Sequence, residues 1–133
     1  MQREDAVALT RALVQIDSRN PTLSADGPGE RNIALALGDI LTDWGFSVEL
    51  TDSGSDRPNL IARIRPADTP AIMFAGHLDT VGVEGMTHDP FSGDIDGGRL
   101  YGRGSCDMKS GLAAMCVGAL AAFRNAGDKA RRQ

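Results

Sequence analysis

Apolar and polar positions recur with two different periods along this chain, and the change of period marks out its elements. Over residues 5–16, Val7, Leu9, Leu13, Val14 and Ile16 fall at mostly helical spacing. The segment stops before Asp17-Ser18-Arg19-Asn20-Pro21, because the residue ahead of a proline disfavours helix. A polar loop rich in Gly and Pro (residues 22–29) leads to a second helix over 30–44. There Ile33, Leu37, Ile40, Leu41 and Trp44 repeat at intervals of three and four, and Gly45 supplies the stop. The period then drops to two. Phe46, Val48 and Leu50 alternate with Ser47, Glu49 and Thr51 as in a half-buried strand, residues 52–57 form a turn, and residues 59–64 form a second strand. Ala71-Ile72-Met73-Phe74-Ala75 is continuously apolar, the pattern of a central strand covered on both faces. Residues 94–101 carry Gly97-Gly98 between short extended pieces and predict a small hairpin. Residues 110–123 predict an Ala-rich helix buried through Leu112, Met115, Cys116, Ala119, Leu120 and Phe123, and residues 125–133 read as a solvated tail.

Helices and strands in this alternation predict an α/β layered domain around a central sheet. Ligands in such sheets gather at the carboxyl ends of strands, and the most buried strand candidate ends at His77. Composition narrows the function. A chain of 133 residues with 41% apolar content fits one domain with its own core. The 14 basic and 18 acidic residues are intermixed, with a net charge of −4, so no basic stripe tracks a phosphate backbone and nucleic acid is not an expected partner. Eighteen apolar residues never run together and the N-terminus has no leader pattern, so the expectation is a cytoplasmic protein without membrane association. Cys106 and Cys116 match neither a disulfide framework nor a CxxC zinc pattern and are read as reduced thiols.

Candidate chemistry gathers in two segments, Gly76-His77-Leu78-Asp79-Thr80-Val81 and Gly102-Arg103-Gly104-Ser105-Cys106-Asp107-Met108-Lys109. A neutral imidazole and two carboxylates are donors suited to zinc or a similar divalent ion. Positions two apart on an extended chain return to the same side. The Asp79 carboxylate can therefore accept the His77 ring N–H that a metal does not use. Asp107 has two readings: an N-cap for the following helix, a duty Ser110 could share, or a carboxylate bridging two cations from a turn that Gly102 and Gly104 leave open. After Asp107 the sequence offers one further acid, Asp128, and no Glu or His, so the site reads as half built.

These residues carry a family resemblance. The stretch over residues 72–114 contains Gly-His-Leu-Asp-Thr-Val, Asp89-Pro90-Phe91, Asp96-Gly97-Gly98-Arg99-Leu100-Tyr101-Gly102-Arg103-Gly104 and Cys106-Asp107-Met108-Lys109-Ser110-Gly111. It closely resembles the M20 family of zinc metallohydrolases, which groups deacetylases, desuccinylases, carboxypeptidases and aminoacylases. Upstream, Ile16-Asp17-Ser18-Arg19-Asn20-Pro21, Gly29-Glu30 and Trp44-Gly45-Phe46-Ser47-Val48 extend the match to nearly the whole chain. The resemblance implies the first half of a three-layer α/β/α zinc-peptidase-like catalytic domain over residues 1–133, without the lid or dimerisation domain. It implies that His77 is a zinc ligand, that Asp79 is the acidic residue of the catalytic site that clamps that histidine, and that the Asp107 carboxylate bridges two zincs, in a family where the Asp107-Met108 peptide is commonly cis. Cobalt or manganese is compatible with the same donors. In complete relatives a Glu-Glu pair, a further acidic ligand and a distant histidine finish the site, and none can be matched here. The implied reaction is hydrolysis of an amide in small N-acyl amino acids or peptides, with little activity expected from this chain by itself.

Other readings are weaker. Gly102 to Ser110 has a superficial likeness to a phosphate loop, but Met108 stands where that pattern needs Gly before Lys. Cys106 as a nucleophile with His77 or His88 lacks a second motif. His88 reads as a solvated loop residue, Lys109 as a cap on local carbonyls, and Arg103 as a structural partner of nearby carboxylates. The alternative from another class is a truncated or split-gene fragment that serves only as a binding or assembly module. Its open sheet edge would favour self-association or a complementing C-terminal chain.

Overall fold

The computed structural model describes residues 5–52, 55–64 and 72–130, with side chains described as far as Ala126. Helix α1 (Ala6–Val14) begins where Asp5 accepts the Ala8 N–H through its side chain at 2.9 Å, a cap that satisfies one of the free donors of the first turn. Helix α2 (Arg31–Asp43) ends as the sequence predicts, with a physical mechanism. Gly45, at φ +95°, donates to the Thr42 carbonyl, and Phe46 donates to that of Leu41 at 2.9 Å. This pair of bonds is the Schellman arrangement, and it brings Phe46 back onto Leu41 in the core.

Strands β1 (Ser47–Thr51) and β2 (Asn59–Arg63) form an antiparallel pair with Val48 opposite Ala62 and Leu50 opposite Leu60. Gly38 of α2 presents no side chain to this ribbon, so Leu60 and Val48 lie against the helix. Strands β3 (Ile95–Asp96) and β4 (Arg99–Leu100) make the expected small hairpin, with Gly97 and Gly98 both at positive φ as a two-residue primed turn requires. Helix α3 runs from Ser110 to Ala130, past the predicted end at Phe123 and through most of the expected tail, of which residues 131–133 lie outside the described residues. A poor stop explains the extension: Asn125 and Gly127 interrupt the Ala-rich run, but no proline follows.

The core is helix on helix with the ribbon behind. Leu9 and Leu13 of α1, Ile33, Leu37 and Leu41 of α2, Trp44, Phe46, and Leu112, Ala113 and Leu120 of α3 form one buried cluster. The segment Ser105–Ala126 is long and apolar enough to cross a membrane by length and composition. Its Leu112 and Leu120 are buried in this cluster, and its alanines account for much of the remaining apolar count.

The mixed α/β class is as expected for the first part of a layered catalytic domain, but one element departs from the sequence reading. Residues 72–75 form no strand, and Ile72, Met73 and Phe74 are 84%, 87% and 56% exposed; Ala71, the first residue of that predicted strand, lies outside the described residues. A central strand is stable only with hydrogen-bonded neighbours on both edges and helices on both faces. Among the described residues, the two sheets are two-stranded and neither takes up this segment.

Candidate metal centre

Past the exposed apolar segment the chain pairs with the turn that follows α1. Arg19 bridges Thr80 in parallel: the Thr80 N–H donates to the Ser18 carbonyl at 3.0 Å and Asn20 N–H to the Thr80 carbonyl at 2.8 Å. Ser18 adds a bond from its hydroxyl to the Leu78 carbonyl at 2.8 Å. Thr80 is thereby buried, and its neighbour Asp79 turns to the opposite side.

The second half of the site is an irregular turn over Ser105–Lys109 that opens α3. Gly104, at φ +81°, stands so close to the Thr80 and Lys109 side chains that a Cβ there would fall 2.7 Å from Thr80 Cγ2. Asp107 (φ −125°, ψ 99°) leaves helical conformation, and the Asp107-Met108 peptide is cis, as the resemblance implies. Gly76 brings the two halves together, since a Cβ on it would lie 2.9 Å from both Leu112 and Met108. Lys109 anchors the turn from below. Lys109 is only 1% exposed, and its Nζ donates to the distant Ile16 carbonyl at 2.8 Å rather than to the local carbonyls expected from the sequence. Burial pushes this ammonium down to about 8, with the Asp17 charge opposing.

His77, Asp79 and Asp107 converge at this junction. The His77 Nε2 lies 3.0 Å from Asp107 Oδ1, while Nδ1 lies 3.0 Å from the Asp79 carbonyl and 3.2 Å from Asp79 Oδ1. Asp79 therefore holds the ring from behind and Asp107 meets it in front. The His77 and Asp107 side chains are 46% and 86% exposed, so the front opens to solvent. Partial burial lowers the imidazole pKa, but the Asp79 carbonyl and the Asp107 carboxylate outweigh it and hold the net value above that of a free histidine. One oxygen of Asp107 meets His77, and among the described residues no backbone N–H of α3 donates to its carboxylate as an N-cap would require.

The donor chemistry suits zinc. An imidazole nitrogen and a carboxylate oxygen 3.0 Å apart can share an ion at the usual ligand distances of about 2.0–2.2 Å. They would be two of the four ligands a tetrahedral ion needs. Among the described residues no group of three or more His, Cys, Asp or Glu side chains is placed to hold a metal.

The remaining candidates take up other positions. The His88 ring is exposed and meets Tyr101 edge-on, with centroids 5.6 Å apart. Cys106 and Cys116 are both free thiols; Cys106 is exposed, and burial pushes Cys116 up to about 11. Arg103 does not pair with carboxylates as predicted: among the described residues it makes no ion pair, and its buried Nε lacks a partner. The backbone of this turn is held instead by the Arg103 N–H on the Pro90 carbonyl at 2.7 Å.

Sequence reasoning missed Asn20, whose amide nitrogen donates to Asp79 Oδ2 at 2.8 Å. The signal available is its place before Pro21 in the Ser18-Arg19-Asn20-Pro21 run, which by itself reads only as a helix stop. Sequence reasoning also missed Arg57, which forms a two-pronged pair with the buried carboxylate of Glu30 and whose charge reaches Asp79.

Residues 73–133 match the profile of Peptidase family M20/M25/M40. The chain is 42% identical over 129 residues to a succinyl-diaminopimelate desuccinylase of Methylorubrum extorquens, covering 91% of this chain and 31% of that protein. It is 45% identical over 113 residues to the protein of the same name from Gluconobacter oxydans, covering 82% and 28%. With that from Ehrlichia ruminantium it shares 37% over 116 residues, covering 83% and 28%. The chain thus spans less than a third of the length of these relatives.

Proposed function

This chain belongs to Peptidase family M20/M25/M40, and from that premise we propose that it forms the N-terminal portion of the catalytic domain of a cytoplasmic, metal-dependent amide hydrolase. The substrate class is a small N-acyl amino acid, with an N-succinyl diamino acid favoured by the names of the relatives. The observation that carries this reading is the His77–Asp107 pair with Asp79 behind it.

In this reading His77 Nε2 and Asp107 hold zinc. The Asp79 side chain and carbonyl accept from Nδ1, so the ring presents its Nε2 lone pair forward. The two oxygens of Asp107 suffice to serve two cations. Zinc bound there supplies a Lewis acid for the amide carbonyl and an activated water. Removal of a proton from such a water would need a further carboxylate, which the described residues do not place beside the pair, and such assistance is worth about 10²–10⁴ in rate. The chain by itself therefore has little or no hydrolytic activity and binds zinc weakly.

Titration of the metal-free chain with zinc at neutral pH, followed through the His77 ring resonances, tests this. Zinc is expected to shift the His77 signals in the wild type, with the response lost in Asp107→Ala. A His77 ring indifferent to zinc refutes the metal site. Rapid amide hydrolysis by the isolated chain, abolished by Asp79→Ala, refutes the need for further groups.

The exposed Ile72, Met73 and Phe74 favour a second reading, in which this face is covered by a complementing C-terminal segment or by another copy. Light scattering across a concentration series distinguishes a monomer from a self-associating chain.

A further inference from the structure

We infer that Asn20 is a positioning residue for the metal centre: by gripping one oxygen of Asp79 it leaves the other on His77 and so selects the ring tautomer. The inference rests on the reading of His77 as a ligand, but its geometry stands apart from any metal. The Asp79 carboxylate divides its oxygens, Oδ2 receiving the Asn20 amide at 2.8 Å and Oδ1 lying 3.2 Å from His77 Nδ1.

The orientation of the Asn20 amide is settled by its other contacts. Its Oδ1 accepts both the Thr22 N–H at 2.9 Å and the Thr22 hydroxyl at 2.7 Å. Only the carbonyl end of an amide can accept a backbone N–H, so the nitrogen must face Asp79. The Asn20 backbone is fixed as well, through its N–H on the Thr80 carbonyl next to Asp79 in sequence. Arg57 also carries charge near Asp79, but its guanidinium is engaged by Glu30. Asn20 thus joins the turn after α1 to the imidazole through a single carboxylate. Without its grip, Asp79 can rotate and Nδ1 keeps only the Asp79 carbonyl at 3.0 Å, which weakens the preference for Nδ1–H over the Nε2–H that Asp107 Oδ1, 3.0 Å away, would accept.

Asn20→Asp separates this role from loop support, because it keeps an oxygen for Thr22 and removes the donor to Asp79. Thr22→Val is the opposite control, weakening the loop bond while leaving the amide in place. Long-range proton–nitrogen spectra of the metal-free chain, recorded where the imidazoles are neutral, read the tautomer of each ring. The chain has two histidines, and His88 serves as internal reference. The expected result is a several-fold fall in the Nδ1–H to Nε2–H ratio of His77 in Asn20→Asp, with His88 unchanged and Thr22→Val like the wild type. Zinc affinity, where measurable, should fall about tenfold, the lower end of what loss of a ligand's supporting partner costs. A His77 ratio unchanged in Asn20→Asp, or altered equally in Thr22→Val, overturns the inference. Should Asn20→Asp fail to fold, the Asn20 side-chain amide protons of the wild type provide the test. They must lie downfield and lose that shift in Asp79→Ala; a shift that persists overturns the inference. The ring spectrum is taken without metal, so its outcome is separate from whether zinc binds.

Discussion

Two apolar stretches of this chain meet opposite fates. Leu9, Leu13 and Val14 of α1 have no exposed surface, whereas Ile72, Met73 and Phe74, a denser apolar run, stand largely in water. Their hydrophobicity does not distinguish them; the availability of a partner does. A helix satisfies its own backbone and needs only one apolar face to pack against, which α2 and α3 provide. A strand must find hydrogen-bonded neighbours before its side chains can be covered, and among the described residues neither two-stranded sheet pairs with this segment. The candidate metal-site residues lie at the seam between these regions. His77 follows the exposed stretch directly, yet Asp79 and Thr80 are secured by the turn leaving α1.

The contrast can be broken most forcefully from the packed side. Leu13→Ala should lower unfolding stability by about 2–5 kcal/mol in urea denaturation, the range for truncating a buried leucine. A loss below about 1 kcal/mol would mean that the helical core is as loosely held as the segment at 72–74.

Lys109, under the seam, gives a pH-dependent effect. Its folded value of about 8 lies below the ordinary lysine value of about 10.4, so between these limits the unfolded chain binds more protons. Stability contributed by this group therefore rises as pH climbs from 8 toward 10, by up to about 3 kcal/mol. Lys109→Met should abolish that rise while filling the same space. An identical pH profile in the variant would show that the ammonium is solvated.

The smallest effect on stability belongs to the exposed stretch. Phe74→Ser should change the unfolding free energy by less than about 0.5 kcal/mol, as for other exposed positions. It should nonetheless reduce self-association in sedimentation at high concentration. A large loss of stability would place Phe74 in a packed environment and erase the contrast between the two regions.

Elements that organise themselves locally were legible in the sequence. The spacing of Ile33, Leu37 and Leu41 and the stop at Gly45 marked α2, and Gly97-Gly98 marked the hairpin. His77 and Asp79 were legible because a two-residue interval on extended chain places both side chains on one side. The 30-residue separation of His77 and Asp107 was bridged in reading by family resemblance rather than by any local rule. Asn20 escaped notice because its partner lies 59 positions away, and its segment was read as a helix stop and a stretch of family likeness without a role for its side chain. Arg103 was misassigned because proximity in sequence to carboxylates did not become proximity in space: among the described residues it makes no ion pair.

The amino-acid sequence by itself determined which segments are helical, where the short hairpin turns, and which side chains have metal-binding chemistry, since these follow from local backbone preferences and donor type. Only the tertiary structure decided that Lys109 would reach the end of α1, that Asn20 would grip Asp79, and that the apolar run at 72–74 would remain uncovered. Those outcomes depend on which surfaces meet after the chain has folded back on itself. Pairing of that kind is governed by the geometry and supply of partners, which no local pattern of residues encodes.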